Sequence, residues 1–367
     1  MNKLNVARGM LASKKYIRGL EENIAPIYEN TEVKSNDELC DLQEFQDEFV
    51  ADISNRIGIQ KIQKTDEITK KEAYQTLMNS DSRRIRPLLM FLGNLCGSKK
   101  TDRKILINCG LSIEMIHKMS LILDDYFDGD LTRRGNPAFH TIYNRQVIID
   151  ATNLLLNLSN STFLNGISDL PINQQENLLE LYKKIIFDMG KGFIEDLDRT
   201  DKSLDLENAY RINDLQSTTV LQNSLLIGYL LSSRISKKDD TYSGLESIGA
   251  TIGRTFQGLN DIENFLSEET QVNNKGNLYS DLREHRKNII LSQVPKELFY
   301  PPFTNADVIE YIKSNNLIDT TTEELMSGII IAKKEIVQLS NPIARDTLLF
   351  ATDKVTEKTL KKIMNNR

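Results

Sequence analysis

Residues that would point elsewhere are scarce in this chain of 367. It has three cysteines, Cys40, Cys96 and Cys109, with no metal-knuckle or disulfide spacing, so a reducing compartment is expected rather than secretion. Histidine is equally rare. His140 and His285 have no second His or Cys nearby at ligand spacing and read as structural. No Ser-His-Asp or Cys-His arrangement is visible, which argues against chemistry built on a side-chain nucleophile. Acidic residues outnumber basic ones, and the net charge of −6 argues against a general nucleic-acid binder. No unbroken run of about 18 apolar residues occurs, so no transmembrane helix is expected. Only eight prolines and eighteen glycines interrupt helical periodicity, and no convincing alternation of β-branched residues suggests a strand.

Hydrophobic residues make up 40% of the chain, enough for a real core. The pattern predicts an all-α protein. Helices are expected over about Leu39–Ile57, Ser82–Leu95, Asp102–Phe127, Arg145–Gly166, Asn173–Asp198, Ile212–Ser233, Leu245–Ser267 and Thr321–Val337, with a last one from Pro342 to the end. Glu268–Asn277 reads as a polar loop able to act as a flap. Residues 1–38 read as an N-terminal arm with a polar break near Asn30–Asp37, and 39–367 as one catalytic domain. The first twenty residues carry Lys3, Arg8, Lys14, Lys15 and Arg18 without an acid. Sparse serine favours an amphipathic helix over an organelle-targeting segment, and the expected location is the cytoplasm.

The chain is organised around Ile113–His140. Four aspartates, Asp124, Asp125, Asp128 and Asp130, fall within seven residues, and Arg133 and Arg134 follow at once. Upstream, Ile113, Met115, Ile116, Met119, Leu121, Ile122 and Leu123 are too apolar for a solvated acidic surface. A mostly buried helix ending in carboxylates is expected, although carboxylates there oppose the negative helix end by up to about 1 kcal/mol each. A divalent cation best offsets that cost. Asp124 and Asp128, four apart, share one face. Two such ligands beside a cavity suit Mg²⁺, which is usually held by one or two carboxylates plus substrate phosphates. The arginines supply fixed charge for phosphate oxygens.

Two further regions carry chemistry. Ser82-Arg83-Arg84-Ile85-Arg86-Pro87 places arginines at a helix start, where helix N-termini and guanidinium groups bind anions. Downstream, Asn260, Asn264 and Glu268 recur at four-residue intervals, the spacing of one helix stripe.

Together these motifs resemble the trans-isoprenyl diphosphate synthase (polyprenyl synthetase) family. Asp124-Asp125-Tyr126-Phe127-Asp128 fits its DDxxD motif, and Arg133-Arg134-Gly135 its RRG. Ser82–Pro87 is similar to its Gly-Lys-Arg-x-Arg-Pro, with Ser82 and Arg83 in place of Gly and Lys. Phe256–Asn264 resembles its FQxxDDxxD, but Asn260 and Asn264 replace two aspartates and only Asp261 remains. The family usually has Gln where this chain has Phe193 and a phosphate-binding Lys where it has Ser217. Arg211 and Lys191 are candidate substitutes for that charge. Asp196 is a candidate carbocation-side or metal-shell carboxylate, and Ser280-Asp281-Leu282 with Lys287 resembles the closing segment.

The resemblance implies an isoprenoid-synthase-type helical bundle around a central cavity, and a homodimer. It implies three Mg²⁺ ions with diphosphate bound, on Asp124, Asp125, Asp128, Asn260, Asp261, Asn264 and Glu268. The reaction it implies is ionisation of an allylic diphosphate, with Asp124, Asp128, Arg133 and Asp261 as catalytic residues. Isopentenyl diphosphate, held by Arg83, Arg84, His117 and Arg134, then attacks, and diphosphate removes a proton. Lys275 is expected to reach a diphosphate from the flap. Met119 and Ser120 stand where family aromatics close the pocket, so a product of C20 or longer is expected, with Tyr143 or Phe163 as other candidates for a pocket end. The stripe Asn260/Asn264/Glu268 also resembles the metal triad of class I terpene cyclases. Cyclisation, a prenyl acceptor of another kind, and a weakly active partner subunit are therefore the competing readings.

Overall fold

The structure is a computed structural model that describes residues 84–98, 101–133, 135–198, 205–232 and 240–339, with scattered positions beyond. The N-terminal arm, its boundary at 38, the helix expected over Leu39–Ile57, and Ser82, Arg83 and Arg134 lie outside the described residues. So does most of the chain beyond Pro342.

In chain order the helices are α1 (Ile85–Leu95), α2 (Arg103–Asp128), α3 (Phe139–Ile142), α4 (Arg145–Ile167), α5 (Ile172–Leu197) and α6 (Leu206–Asn213). A π-helical turn, Asp214–Thr218, leads into α7 (Thr219–Ser232). Then come α8 (Asp240–Glu263), α9 (Glu268–Lys275), α10 (Ser280–Arg283), α11 (Asn305–Ser314) and α12 (Leu317–Val337). Between α2 and α3, β1 (Thr132–Arg133) pairs antiparallel with β2 (Asn136–Pro137). This ribbon is the one departure from an all-α chain among the described residues, and Gly135 at its turn has φ 79°.

Local chemistry sets the helix ends. The Asp102 carboxylate caps α2 by accepting from the Lys104 amide at 2.8 Å. Gly129 stops α2 with φ 63°, a left-handed conformation that costs a residue with Cβ about 1 kcal/mol or more. Asn144 caps α4 from the Val147 amide at 3.1 Å. Two expected boundaries are corrected. The helix expected over Leu245–Ser267 ends at Glu263, and the loop expected over Glu268–Asn277 is helical as far as Lys275.

Helix α2 runs through the core, packed on α1 and α4, and 67% of its most apolar stretch is buried. It alone among the described helices has the length and apolar content of a membrane span, and here the surrounding helices cover it. α7 lies directly on α1. A Cβ at Gly93 would sit 1.9 Å from the Leu225 carbonyl oxygen, and one at Gly228 1.8 Å from that of Met90, so glycine permits this approach. The main core joins α1, α2, α4, α5 and α7. A smaller one gathers Leu259, Ile262, Leu282, Ile289, Val308 and Leu325 around the end of α8 and the segment after α10. Asp124 and Asp128, from the larger body, meet Arg286, from the smaller, at the seam between them.

Candidate active site

The aspartates at the end of α2 converge as their spacing predicts. The Arg286 guanidinium reaches Asp124 with Nη2 and Asp128 with Nε, at 2.8 Å each, and Asp196 at the end of α5 with Nη1. Arg286 enters from the chain beyond α10. His285 just before it is left-handed, with φ 51°, and the Arg286 amide donates to the Asp281 carbonyl at 2.8 Å. Backbone strain of this kind, about 1–3 kcal/mol, gathers at sites where it aims a side chain.

Asp128 is nearly inaccessible. Burial and the neighbouring Asp124 push its carboxyl up to about 8, against the pull of Arg286 and Lys275. For Asp124 burial works in the same direction, but Arg286, Arg133 and Lys275 outweigh it and hold the group below the ordinary range. Asp125 is buried beneath. Its two oxygens accept from Arg133 Nε at 2.6 and 2.8 Å, while Arg133 Nη2 reaches Asp124 at 3.2 Å. Burial raises Asp125 in spite of that partner.

The helix α9 closes over β1. The Leu131 amide donates to the Lys275 carbonyl at 3.0 Å, and the Asn277 amide side chain to the Gly129 carbonyl at 3.2 Å. Lys275 Nζ lies 3.0 Å from Asp281 and 3.5 Å from Asp130. Burial alone would lower its pKa, yet Asp281, Asp130, Asp128 and Asp124 together raise it. The Ser280 hydroxyl donates to the fully buried Asp130 at 2.6 Å.

The second wall, at the end of α8, is neutral where the first is charged. The Asp261 carboxylate accepts from Gln257 Nε2 at 2.9 Å, and from Asn213 Nδ2 and the Ile289 amide at 3.1 Å. Burial and Asp281 push it up to about 7, while those three hydrogen bonds pull it down. Asn264 and Asn288 donate to Asp281 at 2.9 and 2.7 Å. Asn260 is half-buried on α8, and Glu268 is exposed on α9. Since the helix breaks between them, Asn260, Asn264 and Glu268 do not form one continuous stripe, which corrects the premise of a triad.

The π-helical turn supplies Ser217, whose hydroxyl donates to Gln257 Oε1 at 2.7 Å. Such turns recur at functional sites. The candidate substitutes for the missing lysine are placed outside. Arg211 and Lys191, both largely exposed, pair with Glu195. Lys287 donates to the Glu195 carbonyl at 3.1 Å.

A second polar group lies about two to three turns before Asp124 on α2. Arg84, at the start of α1, donates to the buried Glu114 at 2.7 Å, and Lys118 stands 3.9 Å from the same oxygen. Glu114 is one turn from His117, so Arg84 and His117 share this region. Met119 is partly buried against the main core, and the Ser120 hydroxyl turns back to the His117 carbonyl at 2.8 Å. Phe163 is fully buried and stacked on Tyr182 at 4.1 Å, and the Ser159 hydroxyl lies within hydrogen-bonding distance of Tyr182 and of Ser112 on α2. Ser112 lies twelve residues before Asp124, about 18 Å down the helix axis. Tyr143 packs on Phe139 at 4.7 Å.

Sequence reading misses Arg286, Asn288 and Asn213 as site residues, and names Asp281 only as part of the closing segment. A signal was present, since Arg286 follows directly on the segment Ser280–Leu282 that had been singled out. Among the described residues no three carboxylate, imidazole or thiolate groups enclose a metal position alone. The donors are carboxylate oxygens, which suit a hard cation completed by substrate oxygens and water.

The model of the family described as "Polyprenyl synthetase" matches residues 68–297. The chain is 24% identical over 288 residues to a geranylgeranyl diphosphate synthase of Sulfolobus acidocaldarius, covering 78% of this chain and 83% of that one. It is 26% identical over 238 residues to a farnesyl diphosphate synthase of Bacillus subtilis, covering 61% and 77%. Among solved structures, a geranylgeranyl pyrophosphate synthetase of Pyrococcus horikoshii superposes with a TM-score of 0.72 at 22% identity, over 88% of this chain and 98% of that one. A geranylgeranyl pyrophosphate synthase of Corynebacterium glutamicum, complexed with isoprenyl diphosphate and magnesium, gives 0.71 at 16% identity, over 86% and 97%. The chain belongs to the polyprenyl synthetase family and is a trans-prenyltransferase, an isoprenyl diphosphate synthase of isoprenoid biosynthesis.

Proposed function

We propose that the protein condenses an allylic diphosphate with isopentenyl diphosphate, dependent on Mg²⁺, to give a trans-prenyl diphosphate of C20 or longer. The observation that carries this reading is the meeting of Asp124 and Asp128 on one cation, 2.8 Å from each, at the end of a buried apolar helix. Asp124 and Asp128 are the residues that would hold magnesium, which when bound would supply positive charge for a departing diphosphate. Asp196 faces them from α5, and Arg133 and Lys275 add fixed charge where negative charge grows. The apolar flank of α2 lines the space for the hydrocarbon and keeps water from the allylic cation. Arg84 and His117 orient isopentenyl diphosphate, whose double bond attacks that cation, so no side-chain nucleophile is required.

Chain length follows from what stands below the aspartates. Met119 and Ser120 place no ring there, and an unbranched Met yields to a growing chain. The stacked pair Phe163 and Tyr182 lies at the level of Ser112, about 18 Å down α2, and is the next aromatic candidate for a pocket end. Phe187 and Ile194, seven residues apart on one face of α5 and largely exposed, support a homodimer. Sedimentation of the purified protein checks that.

The deciding experiment incubates the protein with Mg²⁺ and C5, C10, C15 or C20 allylic diphosphates, with and without isopentenyl diphosphate, and identifies every product. Longer diphosphates formed only with isopentenyl diphosphate are expected. Hydrocarbons or alcohols formed without it would overturn the reading in favour of cyclisation.

A further inference from the structure

Asp124, Asp128 and Asp196 form a cage around one cation, and that cation is a side chain, standing against the two aspartates to which the reading above assigns a divalent ion. Arg286 touches all three carboxylates and is itself only 7% exposed. We propose that Arg286 is a resident cation that keeps divalent metal out of the diphosphate-free protein and yields the carboxylates only when a diphosphate arrives. This rests on the magnesium reading above and goes beyond it, because it makes metal and diphosphate uptake depend on each other through one side chain.

Three physical points carry it. First, Asp128 and Asp196 are buried beside the part-exposed Asp124, and buried carboxylates stay ionised only with a cation against them, the place Arg286 fills before metal arrives. Second, a guanidinium cannot surrender its charge by losing a proton, so it leaves only by moving to another anion. A diphosphate offers oxygens in the paired geometry that a guanidinium prefers. Third, Arg286 and a metal ion compete for the same oxygens of Asp124 and Asp128. Whatever draws Arg286 away therefore raises metal affinity, and by linkage bound metal raises diphosphate affinity by the same factor.

The facing wall makes one resident arginine matter more. Asn260 and Asn264 stand where the resembled motif has aspartates, so little carboxylate charge is available there to hold metal while Arg286 stays in place. Asn264 is committed to Asp281 at 2.9 Å. Lys275 flanks the cage, but its contacts are with Asp281 and Asp130, so it does not replace Arg286 on Asp124 and Asp128.

The test is calorimetric titration of the full-length protein with Mg²⁺, with and without inorganic diphosphate, for the parent, Arg286→Met and Arg286→Lys. In the parent, diphosphate is expected to tighten Mg²⁺ binding about tenfold or more, within the usual range of site coupling. Arg286→Met should bind Mg²⁺ about tenfold more tightly than the parent without diphosphate, and should show little further gain when it is added. Its melting temperature should fall in chelator and recover with Mg²⁺, which a purely structural arginine would not produce. Arg286→Lys keeps the charge but not the two-carboxylate fork, and should fall between, so the test stands even if the Met variant does not fold. Equal Mg²⁺ binding by parent and variants without diphosphate overturns the proposal while leaving the magnesium reading intact. Absence of Mg²⁺ binding to the parent even with diphosphate overturns the magnesium reading itself, and the proposal with it.

Discussion

The two walls of this site are built from opposite materials. On α2, Asp124, Asp125 and Asp128 are answered by Arg133 and Arg286, charge against charge. At the end of α8, Asp261, the one aspartate left in the motif, accepts only neutral hydrogen bonds, and Asn264 donates to Asp281. The first wall keeps its carboxylates ionised only while a cation is present. In the second, Asp261 is satisfied without one. An acidic motif therefore cannot be weighed by counting aspartates, since Asp261 is already satisfied by neutral donors whereas Asp124 and Asp128 share the Arg286 guanidinium.

The comparison can be broken most sharply at the first wall. Asp124→Ala should cut turnover about 10³-fold or more, about 4 kcal/mol of transition-state stabilisation, with the helical fold retained by circular dichroism. Near-parental turnover with Mg²⁺ would remove the charged wall from the chemistry. Arg84→Ala comes next. It should raise KM for isopentenyl diphosphate about 10- to 100-fold, the worth of one charged hydrogen bond, and leave KM for the allylic substrate almost unchanged. If only the allylic constant moved, the two diphosphate positions would have to be exchanged.

Charging the neutral wall should give smaller effects, and the two asparagines should behave differently. Asn260→Asp, at a half-buried position, should lower the Mg²⁺ needed for half-maximal rate a few-fold. Asn264→Asp puts a carboxylate 2.9 Å from Asp281 in place of a donor. It should cost about 1–3 kcal/mol of stability, softened by Lys275, as read from urea midpoints. Equal behaviour of the two variants would mean that the wall is not organised around Asp281.

Asp261 provides a pH test. Its carboxyl, near 3.9 in an unfolded chain, is pushed up to about 7 in the fold. Between those values the folded state keeps a proton that the unfolded state has released, so this group's stabilising contribution falls as pH rises from 4 through 7. Melting temperatures of parent and Asp261→Asn, compared across that range, should converge toward acid and separate toward neutral pH, the variant losing less. Parallel curves would show that the three hydrogen bonds keep Asp261 ionised throughout. The smallest change is expected from Met119→Phe, which should shorten the product by one or two isoprene units with turnover little altered, as read by mass spectrometry. An unchanged product would place the pocket end elsewhere, with Phe163 and Tyr182 the next residues to replace.

Much of the fold was legible because apolar residues recur with helical period in long stretches, and the capping signals Asp102, Gly129 and Asn144 sit where the helices begin and end. The first acidic motif was legible too, because Asp124 and Asp128 are four apart on one helix, and local geometry alone brings them together. The break after Glu263 was not legible. It depends on Phe265 and Leu266 being buried in the smaller core, and Asn264 being turned toward Asp281. Arg286 lies 162 residues from Asp124 in the chain. No periodicity connects them, and only the packing of the two cores against each other decides that this arginine, rather than Arg211, Lys191 or Lys287, meets the aspartates. By itself the sequence determined that a carboxylate pair would close the end of a buried helix. Tertiary structure decided which cation answers it, because that choice depends on contacts between bodies that local propensity does not reach.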